Sequence, residues 1–248
     1  MNVIEFGKEN SNVILLLHGG GLNWWNYREA ARLLSSRFHV VLPILNGHAG
    51  SDAPFTSMEA QADDLIGYVD SHFHGQVLLM GGLSLGGQVL LEILSRRKDI
   101  CRYAILESVS VLPMKCTARW IRPAVSMSHP WVKQQWFSRL QFRSLRLPPD
   151  FFDLYFKDTS VIKKEDLTAM LEANSLYSLK SSLVDCRAKA LVLAGKKEQP
   201  RIKRSAAWIA NSLPHSQLLL MPGLHHGELS IQHAGQYVQL LEDLLDNP

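Results

Sequence analysis

The stretch VLLMGGLSLGGQVLLEIL, residues 77–94, places one serine among glycines between two apolar runs. The first run has the length of a buried strand, and the second is long enough to form a helix. A phosphate-binding loop needs Gly-Lys-Ser or Gly-Lys-Thr, and a dinucleotide site needs Gly-x-Gly-x-x-Gly; neither pattern is present. The stretch does contain Gly-x-Ser-x-Gly at residues 82–86, which predicts a nucleophile elbow with Ser84 at its tip. A glycine-rich turn whose serine only caps the helix is the alternative.

The glycines explain why this motif suits a nucleophile. A chain that reverses sharply between a strand and a helix strains its central residue, and side chains two positions away on either side would collide. Gly82 and Gly86 remove those side chains. The hydroxyl of Ser84 would then stand at the N-terminus of the helix, where free N–H groups favour developing negative charge.

The rest of the chain alternates short apolar runs with segments such as residues 58–73, in which apolar residues recur at helical spacing. This alternation predicts an α/β fold with a doubly wound, mostly parallel sheet and helices on both faces. The predicted buried strands are NVILLLH (12–18), FHVVLP (38–43), QVLLMG (76–81), RYAILE (102–107), KALVLAG (189–195) and SQLLLM (216–221).

Residues 108–188 interrupt this rhythm, because they contain several prolines and no run typical of a buried strand. We predict a helical insertion here. The core domain is then formed by residues 1–107 together with residues 189–248.

Composition narrows the class of protein. A net charge of +3 over 248 residues is too small for a general nucleic-acid binder, and no apolar run is long enough to span a membrane. The first ten residues lack the basic-then-apolar order of a signal peptide. Three widely spaced cysteines, Cys101, Cys116 and Cys186, fit reduced thiols better than disulfides or a metal site. We therefore expect a cytoplasmic protein; the oligomeric state is not predicted.

Together with the serine motif, two further segments resemble the α/β-hydrolase superfamily, and the resemblance extends over essentially the whole chain. LLLHGGG (15–21) is similar to the family's strand and oxyanion loop. VVLPILNGHAGSD (40–52) is similar to its Pro-Asp-Leu-x-Gly-His-Gly-x-Ser segment, with Ile44 and Ala49 departing from that pattern. The resemblance implies the α/β-hydrolase fold with a helical cap and a site that needs no cofactor and no metal.

A serine hydroxyl needs a base to remove its proton. The family's order is nucleophile, acid and then histidine in the last loop, and its Pro-Gly-x-x-His spacing in MPGLHHGE (221–228) falls on His226. His225 is the alternative, whereas His18 and His48 fit better as structural hydrogen-bonding residues in their loops.

The base in turn needs a carboxylate that fixes its tautomer. The family places this acid just after the strand KALVLAG, where the chain continues GKKE (195–198), so Glu198 is the candidate. The alternative is Glu107, at the end of RYAILE, because some family members carry the acid there. The resemblance also implies an oxyanion hole formed by the backbone N–H groups of Gly20 and Leu85.

These residues predict acyl transfer through an acyl-enzyme. Within the family, a serine nucleophile argues against the branches that use aspartate, such as epoxide hydrolases. The leading interpretation is a serine esterase acting on carboxylic esters or thioesters of small to medium substrates. An acyltransferase or a carbon–carbon bond hydrolase would use the same residues. A ligand-sensing or partner-binding protein without catalysis is the alternative from another class.

The insertion is rich in aromatic and cationic residues. We predict that it caps Ser84 and that its aromatic side chains wall the substrate site. Its cations are either neutralised by acidic residues of the main domain, or they guide an anionic or carrier-linked ester. The aromatic residues are Trp120, Trp131, Trp136, Phe137, Phe142, Phe151 and Phe152, and the cations are Lys115, Arg119, Arg122, Lys133, Arg139, Arg143 and Arg146.

Overall fold

Seven strands form one sheet in the computed structural model, which describes residues 1–246. Their order across the sheet is β1-β3-β2-β4-β5-β6-β7; β1 pairs antiparallel with β3, and all other neighbours pair in parallel. The predicted mostly parallel sheet is therefore confirmed. The strands are β1 (Val3–Phe6), β2 (Val13–Leu17), β3 (His39–Pro43), β4 (Val77–Leu83), β5 (Cys101–Glu107), β6 (Lys189–Gly195) and β7 (Ser216–Met221).

Strand β1 was not among the strands predicted from the sequence. This strand has only four residues, all half-buried, and it lies at the edge of the sheet. Its sequence VIEF includes a charged residue, so it lacks the continuous apolar run that marks the central strands.

Helices cover both faces of the sheet. Alternate residues of β2 point to opposite sides, so that Leu15 belongs to one apolar cluster and Leu16 to the other. Helices α2, α3 and α8 pack on the first side, whereas α1 and α10 pack on the second. The helices are α1 (Arg28–Leu34), α2 (Met58–Phe73), α3 (Leu85–Arg96), α4 (Lys115–Val132), α5 (Gln135–Ser144), α6 (Phe152–Thr159), α7 (Lys164–Leu176), α8 (Pro200–Ser212), α9 (Glu228–Gln232) and α10 (Ala234–Asp246).

The segment between β5 and β6 carries the four helices α4–α7 and contains no strand. Polar contacts tie it to the core at several places, and two of them lie near the sheet edge that carries Ser84. On α7, Asn174 donates its side-chain N–H to Gln88 Oε1 of α3 at 3.0 Å. On α6, Asp158 accepts hydrogen bonds from Trp25 Nε1 at 2.8 Å and from Asn23 Nδ2 at 3.0 Å. The insertion is thus attached both to the helix that follows Ser84 and to the loop that follows β2.

No helix within residues 1–246 is both long and apolar enough to cross a membrane.

Candidate active site

The turn at Ser84 has the strained geometry of a nucleophile elbow. Strand β4 ends at Leu83, helix α3 begins at Leu85, and Ser84 between them has φ 51° and ψ −108°. Residues other than glycine rarely adopt this backbone conformation, so the surrounding packing must hold Ser84 in it. A Cβ atom on Gly86 would collide with the backbone oxygens of Leu17 and His18, and one on Gly82 would lie 2.5 Å from the carbonyl oxygen of Gly86. Both glycines are therefore required for the turn.

His226 lies in the loop after β7 and reaches across to the elbow. Its Nε2 lies 3.1 Å from Ser84 Oγ. The neighbouring His225 instead donates its backbone N–H to Glu228 Oε2 at 2.7 Å. Of the two adjacent histidines, the ring of His226 is therefore the one that contacts the serine.

Glu198 completes a continuous chain of hydrogen bonds. It follows β6 in a tight turn, and its side chain is fully buried. Its Oε2 lies 2.8 Å from His226 Nδ1, while Oε1 accepts the N–H of Gly195 at 2.7 Å and the hydroxyl of Ser108 at 2.9 Å. A carboxylate only accepts, so His226 carries its proton on Nδ1 and turns the lone pair of Nε2 towards Ser84.

Ser108 is a site residue that sequence analysis missed. It follows β5 directly, with φ 57°, and its Oγ both donates to Glu198 and accepts the N–H of Gly227 at 3.1 Å. One hydroxyl therefore joins the acid to the backbone beside His226. The available signal was its position, because the carboxyl ends of parallel strands meet at the edge where α/β sites form.

Glu107, the alternative acid, makes no hydrogen bond to His226. Its Oε1 accepts the N–H of Ser230 at 3.2 Å, and the carboxyl group lies close to the phenols of Tyr27 and Tyr237. Burial raises the pKa of Glu107 to about 7. This acid is therefore readily protonated, and it does not belong to the hydrogen-bond chain formed by Ser84, His226 and Glu198.

The loop after β2 presents Gly20 towards the elbow. The N–H groups on either side of it are taken: Gly19 donates to Asn26 Oδ1 at 3.3 Å, and Gly21 donates to His48 Nε2 at 3.2 Å. A Cβ atom on Gly20 would lie 3.2 Å from the side chain of Leu85, so the two predicted oxyanion residues are neighbours.

His18 and His48 are buried and brace this loop. His18 Nε2 accepts the N–H of Leu45 at 3.1 Å, and His48 Nδ1 lies 3.2 Å from the carbonyl oxygen of Leu45. Burial lowers the pKa of His18 well below its ordinary value and that of His48 to about 4. Both rings are therefore neutral and occupied by structural hydrogen bonds.

A small cavity of about 70 Å³ opens at the elbow. Ser84, His226 and Gly20 line it, and the insertion contributes Leu145 and Leu147. The prediction that the insertion's aromatic residues wall this site is wrong for its three tryptophans. These side chains project into solvent, and Phe142 and Phe151 are buried in the apolar cluster on the α1–α10 side of the sheet.

Within residues 1–246, no group of three or more His, Cys, Asp or Glu side chains is placed to hold a metal ion.

The sheet and the sharp strand-to-helix turn at Ser84 define a class of α/β proteins. The profile of the alpha/beta hydrolase family matches residues 14–240. The chain therefore belongs to the alpha/beta hydrolase family.

Several solved structures have the same fold at low sequence identity. A thermophilic esterase from Thermogutta terrifontis has a TM-score of 0.80 at 21% identity, over 99% of this chain and 92% of that chain. MenH from S. aureus has a TM-score of 0.80 at 18% identity, over 99% and 97%. The enol-lactonase from Burkholderia xenovorans LB400 has a TM-score of 0.79 at 18% identity, over 99% and 96%. At these identities the likeness concerns the fold alone.

A short segment of the chain matches a curated relative. Epoxide hydrolase 3 of Mus musculus is 37% identical over 54 residues, which are 22% of this chain and 15% of that protein. The match thus spans only a small part of that enzyme's length.

Proposed function

We propose that the protein is a serine hydrolase that cleaves carboxylic esters or thioesters of small to medium substrates through an acyl-enzyme. The observation that carries the proposal is the unbroken hydrogen-bond chain from the buried Glu198 carboxylate through His226 to Ser84 Oγ. This arrangement activates a hydroxyl that is otherwise a poor nucleophile at neutral pH.

The proposed reaction has two halves. In the first, Ser84 Oγ attacks the carbonyl carbon while its proton passes to His226 Nε2, and His226 then delivers that proton to the leaving alcohol or thiol. In the second, His226 takes a proton from water, the hydroxide attacks the acyl carbon, and Ser84 recovers its proton as the acid leaves. Glu198 holds the Nδ1 proton throughout and stabilises the imidazolium.

The negative charge of each tetrahedral intermediate would be met by the N–H groups of Gly20 and Leu85. One such donor is typically worth about 3 kcal/mol of transition-state stabilisation. The N-terminus of α3 adds a favourable dipole at the same point. The cavity beside Ser84 is small, about 70 Å³, and its lining includes Leu22, Leu83 and Leu147, so we expect it to accept a short acyl group.

The match to an epoxide hydrolase does not change the proposed substrate. Within the family, epoxide hydrolysis belongs to the branches with an aspartate nucleophile, and this elbow carries Ser84. The three cysteines are free thiols, two of them buried, which supports a reducing compartment and so the proposed cytoplasmic location.

Turnover of p-nitrophenyl esters of increasing acyl length by the purified protein tests the proposal. We expect saturable hydrolysis that is fastest for short acyl groups and is abolished in Ser84→Ala. A fluorophosphonate should add its mass to the peptide that carries Ser84. Labelling of another serine, or ligand binding without turnover of any ester, would contradict the enzyme and favour the ligand-sensing alternative. Preferential transfer of the acyl group to an added alcohol would instead indicate an acyltransferase.

A further inference from the structure

The insertion presents an exposed apolar face that the Ser84 cavity does not use. On α4, three apolar side chains follow one another at spacings of seven and four residues, so they project from the same side of the helix. Two more project from α5, and the rings of Trp131 and Trp136 lie 6.4 Å apart, which joins the two helices into one surface. We call this surface the tryptophan face; its members, between 47% and 72% exposed, are Trp120, Met127, Trp131, Trp136 and Leu140.

The charged residues of α4 and α5 are all cations. Between residues 108 and 149 the chain has seven cations and no Asp or Glu. Only Arg122 forms an ion pair, with Glu172 of α7 at 2.7 Å, and Arg139 stacks on the ring of Phe152 at 5.1 Å. Among residues 1–246, no carboxylate lies within ion-pair distance of the other six cations. Within the described part of the chain, acidic residues of the main domain therefore form no ion pair with these cations.

We propose that the tryptophan face docks on an anionic lipid surface. Indole rings favour the headgroup level of a bilayer, and nearby lysine and arginine side chains are attracted by anionic lipids. A helix with an apolar side and a cationic side lies in the plane of such an interface. An acidic protein would match the cations, but it would also need a complementary apolar surface for five large side chains. A lipid interface supplies both the negative charge and the apolar region, and it needs no complementary shape.

The docking surface adjoins the cavity. Leu145 follows α5 directly, is exposed, and also lines the Ser84 cavity. Docking would therefore bring the cavity mouth close to the interface, where esters that partition into lipid are concentrated. This consequence for the substrate rests on the proposed function, whereas the docking itself does not.

Vesicle co-sedimentation tests the docking. The full-length Ser84→Ala variant is mixed with vesicles of phosphatidylcholine alone or of equal parts phosphatidylcholine and phosphatidylglycerol. We expect binding to the anionic vesicles that weakens as salt is added. Replacing Trp120, Trp131 and Trp136 together by serine should lower the partition coefficient at least tenfold. Charge reversal at Arg119, Lys133 and Arg143 should lower it by about fivefold or more for each residue.

Helix α8 offers matched controls. Trp208 is 51% exposed there, and Arg204 is exposed one turn before it. Trp208→Ser and Arg204→Glu should leave vesicle binding unchanged, and circular dichroism should show that every variant is folded. Three outcomes would overturn the proposal: no binding to anionic vesicles, equal losses in the α8 controls, or sensitivity to the charge reversals without sensitivity to the tryptophans. The last would mean that the cations alone adsorb to the anionic lipid and that the tryptophan face does not dock.

An activity measurement separates this inference from the proposed function. The wild-type protein should hydrolyse an ester of a short acid and a long-chain alcohol faster in anionic than in neutral vesicles. The triple tryptophan variant should lose that advantage while retaining turnover of a water-soluble ester. The absence of any esterase activity in the wild-type protein would contradict the proposed function. The docking proposal would then be judged by the sedimentation result alone. Esterase activity without vesicle binding would support the proposed function and overturn the docking.

Discussion

The substitution Glu198→Gln keeps the size of the side chain but replaces two acceptors by one acceptor and one donor. Three donors converge on the carboxylate: the N–H of Gly195 and the hydroxyl of Ser108 on Oε1, and Nδ1–H of His226 on Oε2. The backbone N–H of Gly195 cannot become an acceptor, so the amide oxygen must take the place of Oε1. The amide NH₂ group then faces His226 Nδ1.

A donor facing Nδ1 forces the histidine to move its proton to Nε2. In that tautomer the ring donates to Ser84 and cannot accept the proton of the serine hydroxyl. We expect kcat to fall by about 10,000-fold, equivalent to about 5.5 kcal/mol of transition-state stabilisation. The overall fold should persist, because the packing volume is unchanged.

The matched control is Glu107→Gln, at the other buried acid of the same sheet edge. That carboxyl makes one hydrogen bond, with the N–H of Ser230, and has a pKa of about 7. At pH 7 about half of the wild-type molecules therefore already carry the neutral acid, which the amide resembles. We expect kcat for p-nitrophenyl acetate to change less than tenfold. If Glu198→Gln kept more than a tenth of wild-type kcat, or if the two variants lost activity equally, the tautomer argument would be refuted.

The remaining predictions concern the neighbours of this pair. His226→Ala should lower kcat at least 10,000-fold and His225→Ala less than about tenfold, since only the first ring contacts Ser84; steady-state kinetics would expose a reversed order. Ser108→Ala removes a charge-assisted hydrogen bond, so kcat/KM should fall about tenfold or more, and the free energy of unfolding by urea should fall by about 2 kcal/mol; an unchanged kcat/KM would contradict its positioning role. The folded pKa of Glu107, about 7, exceeds the ordinary value of 4.5, so wild-type stability should fall as pH rises between these values. Relative to Glu107→Gln, the loss should reach about 3 kcal/mol at pH 8 in urea titrations, and a pH-independent difference would argue against it.

The fold could be predicted because its signals are local. Each central strand is a short apolar run, since both of its faces are covered, and β2 is buried along its whole length. The elbow could be recognised for the same reason, because its two glycines are dictated by atoms within a few residues or on the adjacent strand. The edge strand β1 carries no such signal, because half-buried positions accept polar and charged residues, which interrupt an apolar run.

The site was less completely predictable because part of it depends on contacts between distant segments. Ser108 lies 90 residues from Glu198 and 119 from Gly227, and no local pattern distinguishes it from any other serine after a strand. The exposure of the tryptophans also depends on how α4 and α5 pack on the rest of the insertion. Aromatic content indicated an apolar surface, but it could not indicate whether that surface faces the cavity or the solvent.

The backbone conformation that exposes the hydroxyl of Ser84 also lowers the stability of the fold. At φ 51° and ψ −108°, Ser84 occupies the region that glycine enters freely as the first central residue of a type II′ turn, and a side chain there costs about 1–3 kcal/mol. Ser84→Gly would therefore remove the nucleophile and relieve the strain at the same time. In a descendant released from selection for turnover, position 84 is one place where the chain could regain stability, and a glycine there would mark a lineage in which the reaction had been lost.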